Sequence, residues 1–176
     1  INYICLEVDF MKQITNVFRS DSKYKTLLLT ILITALSYGL YKGVIDNYLA
    51  EVVMISEMDR GITEFFRELP GILLVFILAV FYKLSAETMY KAGAIIMLVG
   101  MGMHALLPPV KVLITLAICL YSLGEHIQLG MKSSITLSYA KEGHGGAALG
   151  AQSSINQVGS LIGYFIIVVA FSIFSA

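Results

Sequence analysis

Apolar residues run along this chain in long blocks, not in alternation. Five blocks approach or exceed the roughly 20 residues that a bilayer-spanning helix needs. They lie near 24–54, 62–83, 88–107, 110–140 and 145–175. The breaks between them, SEMDRG, YKLSAE, LPPVK and AKEGHGG, carry turn or charge signals. Blocks one, four and five are long enough to tilt or to project from a bilayer. The ten-residue alternation of a membrane barrel is missing. The pattern predicts an all-α, polytopic membrane protein with five transmembrane helices. Residues 1–23 form an N-terminal cytoplasmic segment, and residues 24–176 form the helical domain.

The N-terminal segment carries a pattern of its own. The first methionine is Met11, and MKQITNVFRSDSKYKT reads as the natural start of a membrane protein, so residues 1–10 are expected to lie upstream of it. Ile14, Val17 and Phe18 fall at i, i+3 and i+4, which suits a short helix lying on the membrane surface. A disordered tail fits the same residues equally well. The apolar run from Thr26 is too long for a signal-peptide core, and no A-x-A site follows it. At the other end AFSIFSA closes the chain without a polar tail, from which the gene is expected to continue.

Composition sharpens the membrane reading. Of 176 residues, 57% are hydrophobic and 14% charged, against about 45–50% and about 25% in soluble domains. The formal net charge is zero, so there is no electrostatic case for nucleic acid. Cys5 and Cys119 have neither metal-ligand spacing nor the context of a structural disulfide. Loop charges set the orientation. With the N-terminus inside, Lys12, Arg19, Lys23, Lys25, Lys83, Lys91 and Lys141 are cytoplasmic, and Arg60 and Lys111 are outside. The expected location is the plasma membrane, a bacterial inner membrane, with the N-terminus cytoplasmic.

Several charges fall inside the blocks, where each costs about 3 kcal/mol or more at the bilayer centre. At 1.5 Å per residue, Lys42 lies about 25 Å and Asp46 about 31 Å from the inner surface. Arg67 and Glu64 lie at about 24 and 28 Å, so the four share one level. Glu125 sits near the middle of its span, about 22 Å from either end, and Asn156 is also central. Lys42 and Asp46 are i, i+4; Glu64, Arg67 and Glu68 are i, i+3, i+4. Glu125, Gln128 and Lys132 form a stripe, as do Gln152, Asn156, Gly159 and Gly163. Lys42 and Asp46 can also be read as snorkelling to the outer surface, the Glu64–Arg67–Glu68 group as a structural ion-pair cluster, and Gln152 and Asn156 as interhelical glue. A midplane carboxylate such as Glu125 must be paired, protonated or hydrated. His126, its neighbour, points elsewhere and reads as packing. The third span has only His104 and is expected to face lipid, with the other four around something wet.

Other chemistry is weak. GHGGAALG lacks the Lys-Ser/Thr end of a phosphate loop, and no strand precedes it. Three histidines give no nucleophile–base set, so an enzyme is not expected. No metal or cofactor is expected either. Gly146/Gly150 and Gly159/Gly163 are G-x-x-x-G pairs that allow close helix approach.

Three stretches resemble the N-terminal half of a major facilitator superfamily transporter. They are ALSYGLYKGVIDNYLAEV in the first span, the basic hairpin FYKLSAETMYKAG, and GMKSSITLSYAKEGHGGAALGAQSSINQVGSLIG across the fourth and fifth. The hairpin departs from the family signature: Lys83 and Lys91 keep its positive charge, but Glu87 is its only acid. The resemblance implies a twelve-helix parent with two pseudo-symmetric halves and a central site. This chain would hold five helices of a six-helix half, the first and fourth lining the cavity, the second and fifth facing the missing C-terminal half, and the third peripheral. It implies transport of a polar or charged small solute by alternating access, with proton coupling through Glu125 or an outer carboxylate. The expected pathway residues are Tyr38, Lys42, Asp46, Glu64, Arg67, Glu68, Glu125, Gln128, Lys132 and Asn156. The expected partners are the solute, the lipid bilayer and the C-terminal half. The competing reading is a membrane scaffold or assembly subunit whose charges pair with a partner's helices.

Overall fold

The computed structural model describes residues 17–18 and 22–174. Helix makes up 87% of the structure, and the described residues contain five long helices and no strand. They are α1 (Lys23–Asn47), α2 (Glu57–Val80), α3 (Ala86–Leu106), α4 (Lys111–Tyr139) and α5 (Gly145–Phe174). α1 runs on into a π-helical turn, Tyr48–Val52. Four segments are long and apolar enough to cross a membrane: α1 with its π turn, α3, α4 and α5. α2 is as long, but its first half carries Asp59, Arg60, Glu64, Arg67 and Glu68, and it falls outside that class by composition.

Local chemistry sets the ends. α2 starts at Glu57, before the apolar block that predicts it, because Ser56 and Asp59 form a capping box. Ser56 Oγ accepts from the Asp59 amide, and Asp59 accepts from the Ser56 amide, satisfying two orphan donors of the first turn. Ser85 caps α3 by accepting from the Thr88 amide. Pro108 and Pro109 follow the end of α3 at Leu107, where a helix cannot continue. Gly143 turns the α4–α5 connection at φ +76°, a conformation that glycine adopts without a Cβ clash.

Residue contacts divide the chain into two compact units, cut within α1 and near the end of α4. One unit comprises Ile1–Leu40 and Ser133–Ala176. Here α1 and α5 cross in backbone contact. A Cβ on Gly39 would strike the Ser160 carbonyl, one on Gly159 would lie 2.7 Å from the Leu32 carbonyl oxygen, and one on Gly163 2.5 Å from that of Leu36. The Gly159/Gly163 pair therefore packs as its spacing predicts. The Gly146/Gly150 pair does not, since nothing lies within 4 Å of either position. Phe18 is buried, stacks on Tyr24 with centroids 5.0 Å apart and bridges to Ala140. The Lys141 amide donates to the Val17 carbonyl. Phe18 thus faces protein, not the membrane surface. Ile14 and residues 1–10 lie outside the described residues.

The second unit, Tyr41–Lys132, is organised around α4. Ile45, Leu49 and Val53 of the first segment pack with Ile114 and Ile118. The wider π turn keeps Leu49 and Val53 on that side. α3 meets α4 through small residues: added Cβ atoms on Gly93 and Gly124 would each strike the other's carbonyl, and one on Gly100 would meet the Tyr121 backbone. The third span, expected to face lipid, thus has one face against protein, where Met89, Tyr90, Gly93, Met97 and Gly100 are buried. Ile95, Leu98 and Val99 are exposed, but Met97 is buried against Gly124. The helix period places Met97 on the opposite side from Ile95 and Leu98–Val99.

Pro70 sits inside α2. A proline cannot donate to the carbonyl four residues back, and its ring crowds that turn. One residue beyond the Phe66 carbonyl that Pro70 leaves without its helical donor, the Arg67 carbonyl accepts a hydrogen bond from Ser122 Oγ of α4. Thr63 and Thr115 add a second α2–α4 bond at 3.1 Å.

A candidate polar site inside the helical unit

α2 supplies the first layer of the site. Arg67 Nε donates to Glu64 Oε2 at 2.7 Å, and Arg67 Nη2 lies 2.8 Å from Glu68 Oε1. One guanidinium fork thus holds two carboxylates, a use that its planar donors suit. Spacings of three residues and one place both acids near the arginine on a single turn. Their side chains stay 42% and 55% exposed, while that of Arg67 is 26% exposed. The acids therefore form the open edge of the cluster and the arginine its root.

α4 supplies the second layer. His126 Nε2 lies 3.8 Å from Glu68 Oε2. Its Nδ1 is 2.9 Å from the Ser122 carbonyl and 3.1 Å from Ser122 Oγ. A Cβ on Gly71 would come within 2.5 Å of the imidazole, so the glycine makes room for the ring against α2. The sequence reading placed His126 away from the charges. The structure places it among them, because α2 lies on the side of α4 that His126 faces.

Glu125, the next residue on α4, turns to a different neighbour. Of the basic groups around it, Lys42 exerts the largest field, followed by His126 and Arg67. Lys132 in turn lies in the field of Glu125. Lys42, Arg67 and Lys132 balance Glu64, Glu68 and Glu125 in formal charge. Tyr41 stands among these groups, in the fields of Glu125, Arg67, Asp46 and Glu64. Its ring stacks on Tyr121 at 4.0 Å and meets the His104 edge at 5.6 Å, and Tyr48 also flanks His104. His104 Nδ1 donates to the Gly100 carbonyl at 2.8 Å, leaving Nε2 as the acceptor nitrogen. Tyr41 Oη and His104 Nε2 are buried without a hydrogen-bond partner among the described residues.

The other expected residues divide. Asp46 joins Arg60 of α2 at 2.6 Å, at the solvent-exposed end of the helices. Gln128 is buried and donates to the Tyr90 carbonyl of α3 at 3.4 Å, which makes it a helix–helix link. Tyr38 and Asn156 belong to the first unit, where the Asn156 carbonyl accepts from Ser160 Oγ. Tyr41, His126 and Ser122 are the site residues that the sequence reading missed. Tyr41 shares its helix face with Ile45 and Leu49, and that apolar company disguises it. Ser122 and His126 carried a usable signal, since i, i+4 spacing puts both on the face of α4 that meets Arg67.

Outside the membrane-level groups, Asp59 accepts from Lys111 Nζ, and this bond is the main cause holding its carboxyl below the usual carboxylate range. Among the described residues no group of three or more His, Cys, Asp or Glu could hold a metal ion.

This arrangement defines an all-helical protein whose apolar helices fit an integral membrane location and whose second unit carries a cluster of ionisable groups. Compared with known proteins, the chain matches no family model, and no curated protein and no solved structure is significantly similar to it.

Proposed function

We propose that this chain is the N-terminal half of a secondary active transporter of the major facilitator type, moving a polar or charged small solute by alternating access. In this reading α2 also crosses the bilayer, with its charged first half turned away from lipid. The observation that carries the proposal is the Arg67 fork. It holds Glu64 and Glu68 on a helix that is apolar from Leu69 to Val80, with both carboxylates open on one side. Exposed carboxylates at membrane depth need water, a counter-ion or a partner. A water-filled cavity between two halves supplies the first of these.

Two further features support the reading. Lys42 and Glu125 carry opposite charges beside that cluster, so a solute or proton that engages Glu125 would change the charge balance there. Tyr41 Oη and His104 Nε2 are polar atoms that cost about 1–3 kcal/mol each when unmet, and a polar solute entering between α1 and α4 would meet them. The residues that would bear the coupling step are Glu125 and Glu68, the latter with His126 beside it.

A scaffold whose partner brings cations to Glu64 and Glu68 is the second reading, favoured by the same open edge. The downstream reading frame separates the two. Seven further spans in frame support the transporter, and a stop codon after Ala176 supports the scaffold. The direct assay is proton flux into proteoliposomes that hold the protein with its downstream sequence, followed with an entrapped pH dye over a panel of organic cations, acids and sugars. A solute-dependent flux is the expected result. Silence across the panel together with a stop codon would remove the transport reading.

A further inference from the structure

A groove of about 310 Å³ runs between α2 and α4, apart from the charge cluster. Ile62, Phe66, Val112 and Leu116 form its walls and Cys119 its deep end, with Asp59 and Lys111 at the rim. Ile62, Val112 and Leu116 are each about half or more exposed. The two threonines of the lining, Thr63 and Thr115, bond to one another. The walls are thus apolar in effect and ill suited to a polar solute. From Lys111 to Cys119 the groove descends about 12 Å along α4, against about 15 Å for one leaflet of a 30 Å hydrocarbon core.

The rim chooses among occupants. Lys111 and Asp59 form an ion pair of zero net charge, and Glu57 stands exposed in the same first turn. An anionic headgroup would meet those acids. A zwitterionic headgroup fits both signs, its phosphate on the donors that Lys111 retains and its ammonium on Asp59. We propose that this groove binds one zwitterionic phospholipid, with an acyl chain along Ile62, Phe66, Val112 and Leu116 and the headgroup on the Lys111–Asp59 pair. The proposal rests on the part of the reading above that puts α2 in the bilayer beside α4, and not on transport.

The test is native mass spectrometry of the purified chain in mild detergent with equimolar phosphatidylethanolamine and phosphatidylglycerol. The expected spectrum shows one retained lipid, phosphatidylethanolamine over phosphatidylglycerol by about five-fold, the scale of one exposed charge contact. Leu116→Trp, at an exposed wall position, fills the groove and should remove the adduct. Asp59→Asn should keep the adduct and erase the preference. In the unsubstituted chain, phosphatidylethanolamine should slow alkylation of Cys119 by N-ethylmaleimide, read by peptide mass, and phosphatidylglycerol at the same concentration should slow it less. Equal retention of the two lipids, an undiminished adduct in Leu116→Trp, unprotected Cys119, or a dimer in place of a lipid adduct would each overturn the proposal.

Discussion

A single methyl group at Gly124 is predicted to destabilise the protein, although alanine is the better helix former. The added Cβ would lie 2.5 Å from the Gly93 carbonyl oxygen and 2.7 Å from the Met97 amide nitrogen. Both are backbone atoms of α3, so no rotamer change relieves the contact, and the two helices must separate by nearly 1 Å to restore ordinary van der Waals distance. Overpacking of this kind costs about 1–3 kcal/mol, and the gain in helix propensity returns up to about 1 kcal/mol. Gly150 provides the control. Nothing lies within 4 Å of its Cβ position, so Gly150→Ala keeps only the propensity gain. Thermal unfolding in a fixed detergent should therefore move in opposite directions for the two variants, at about 2–4 °C per kcal/mol for a chain of this size. Gly93→Ala strains the same crossing as Gly124→Ala, and once one methyl has separated the helices the second costs less, so the double variant should lose less than the sum. Wild-type stability in Gly124→Ala would refute the α3–α4 crossing.

Three other outcomes follow. Ser122→Ala removes the donor to the Arg67 carbonyl beside Pro70, and about 1–3 kcal/mol of stability should be lost on chemical unfolding; Ser122→Thr, which keeps the hydroxyl, should recover part of it. Asp59 has its carboxyl held down by Lys111, so its stabilising contribution is present above the ordinary carboxylate value of about 4 and lost as pH falls through the lower folded value; Asp59→Asn should flatten that acid limb, and high salt should mimic it because the pair is exposed. Cysteines at Ser85 and Asp59 in a Cys-free background should respond oppositely to a membrane-impermeant thiol reagent, with Asp59→Cys labelled from outside; labelling of Ser85→Cys alone would reverse the orientation.

The helices were legible because a long apolar block has few other ways to satisfy its backbone. The largest shift of an end came where a cap intervened, as Ser56 and Asp59 did at α2. The partners of the charges were less legible. Spacing along one helix correctly joins Arg67 to Glu64 and Glu68. It also puts Lys42 and Asp46 on one face, but it gives no sign of Arg60, the α2 residue that helix packing brings to Asp46. His126 was set aside because it lies about 100° around the helix from Glu125. That rotation aims it at α2, and no single-helix argument shows where α2 lies. The third span shows the same limit. Its composition is uniformly apolar, and only the crossing at Gly93 and Gly124 distinguishes buried Met97 from exposed Leu98.

Glu125→Gln in the protein with its downstream sequence is the most direct measurement. The change keeps the side chain's shape and removes the charge opposed to Lys42. In proteoliposomes, uphill solute accumulation driven by an imposed proton gradient should fall to background, while the variant stays folded and still exchanges solute across the membrane at equal concentrations. Uphill accumulation at the wild-type rate would contradict the coupling role of Glu125 and leave it a structural residue.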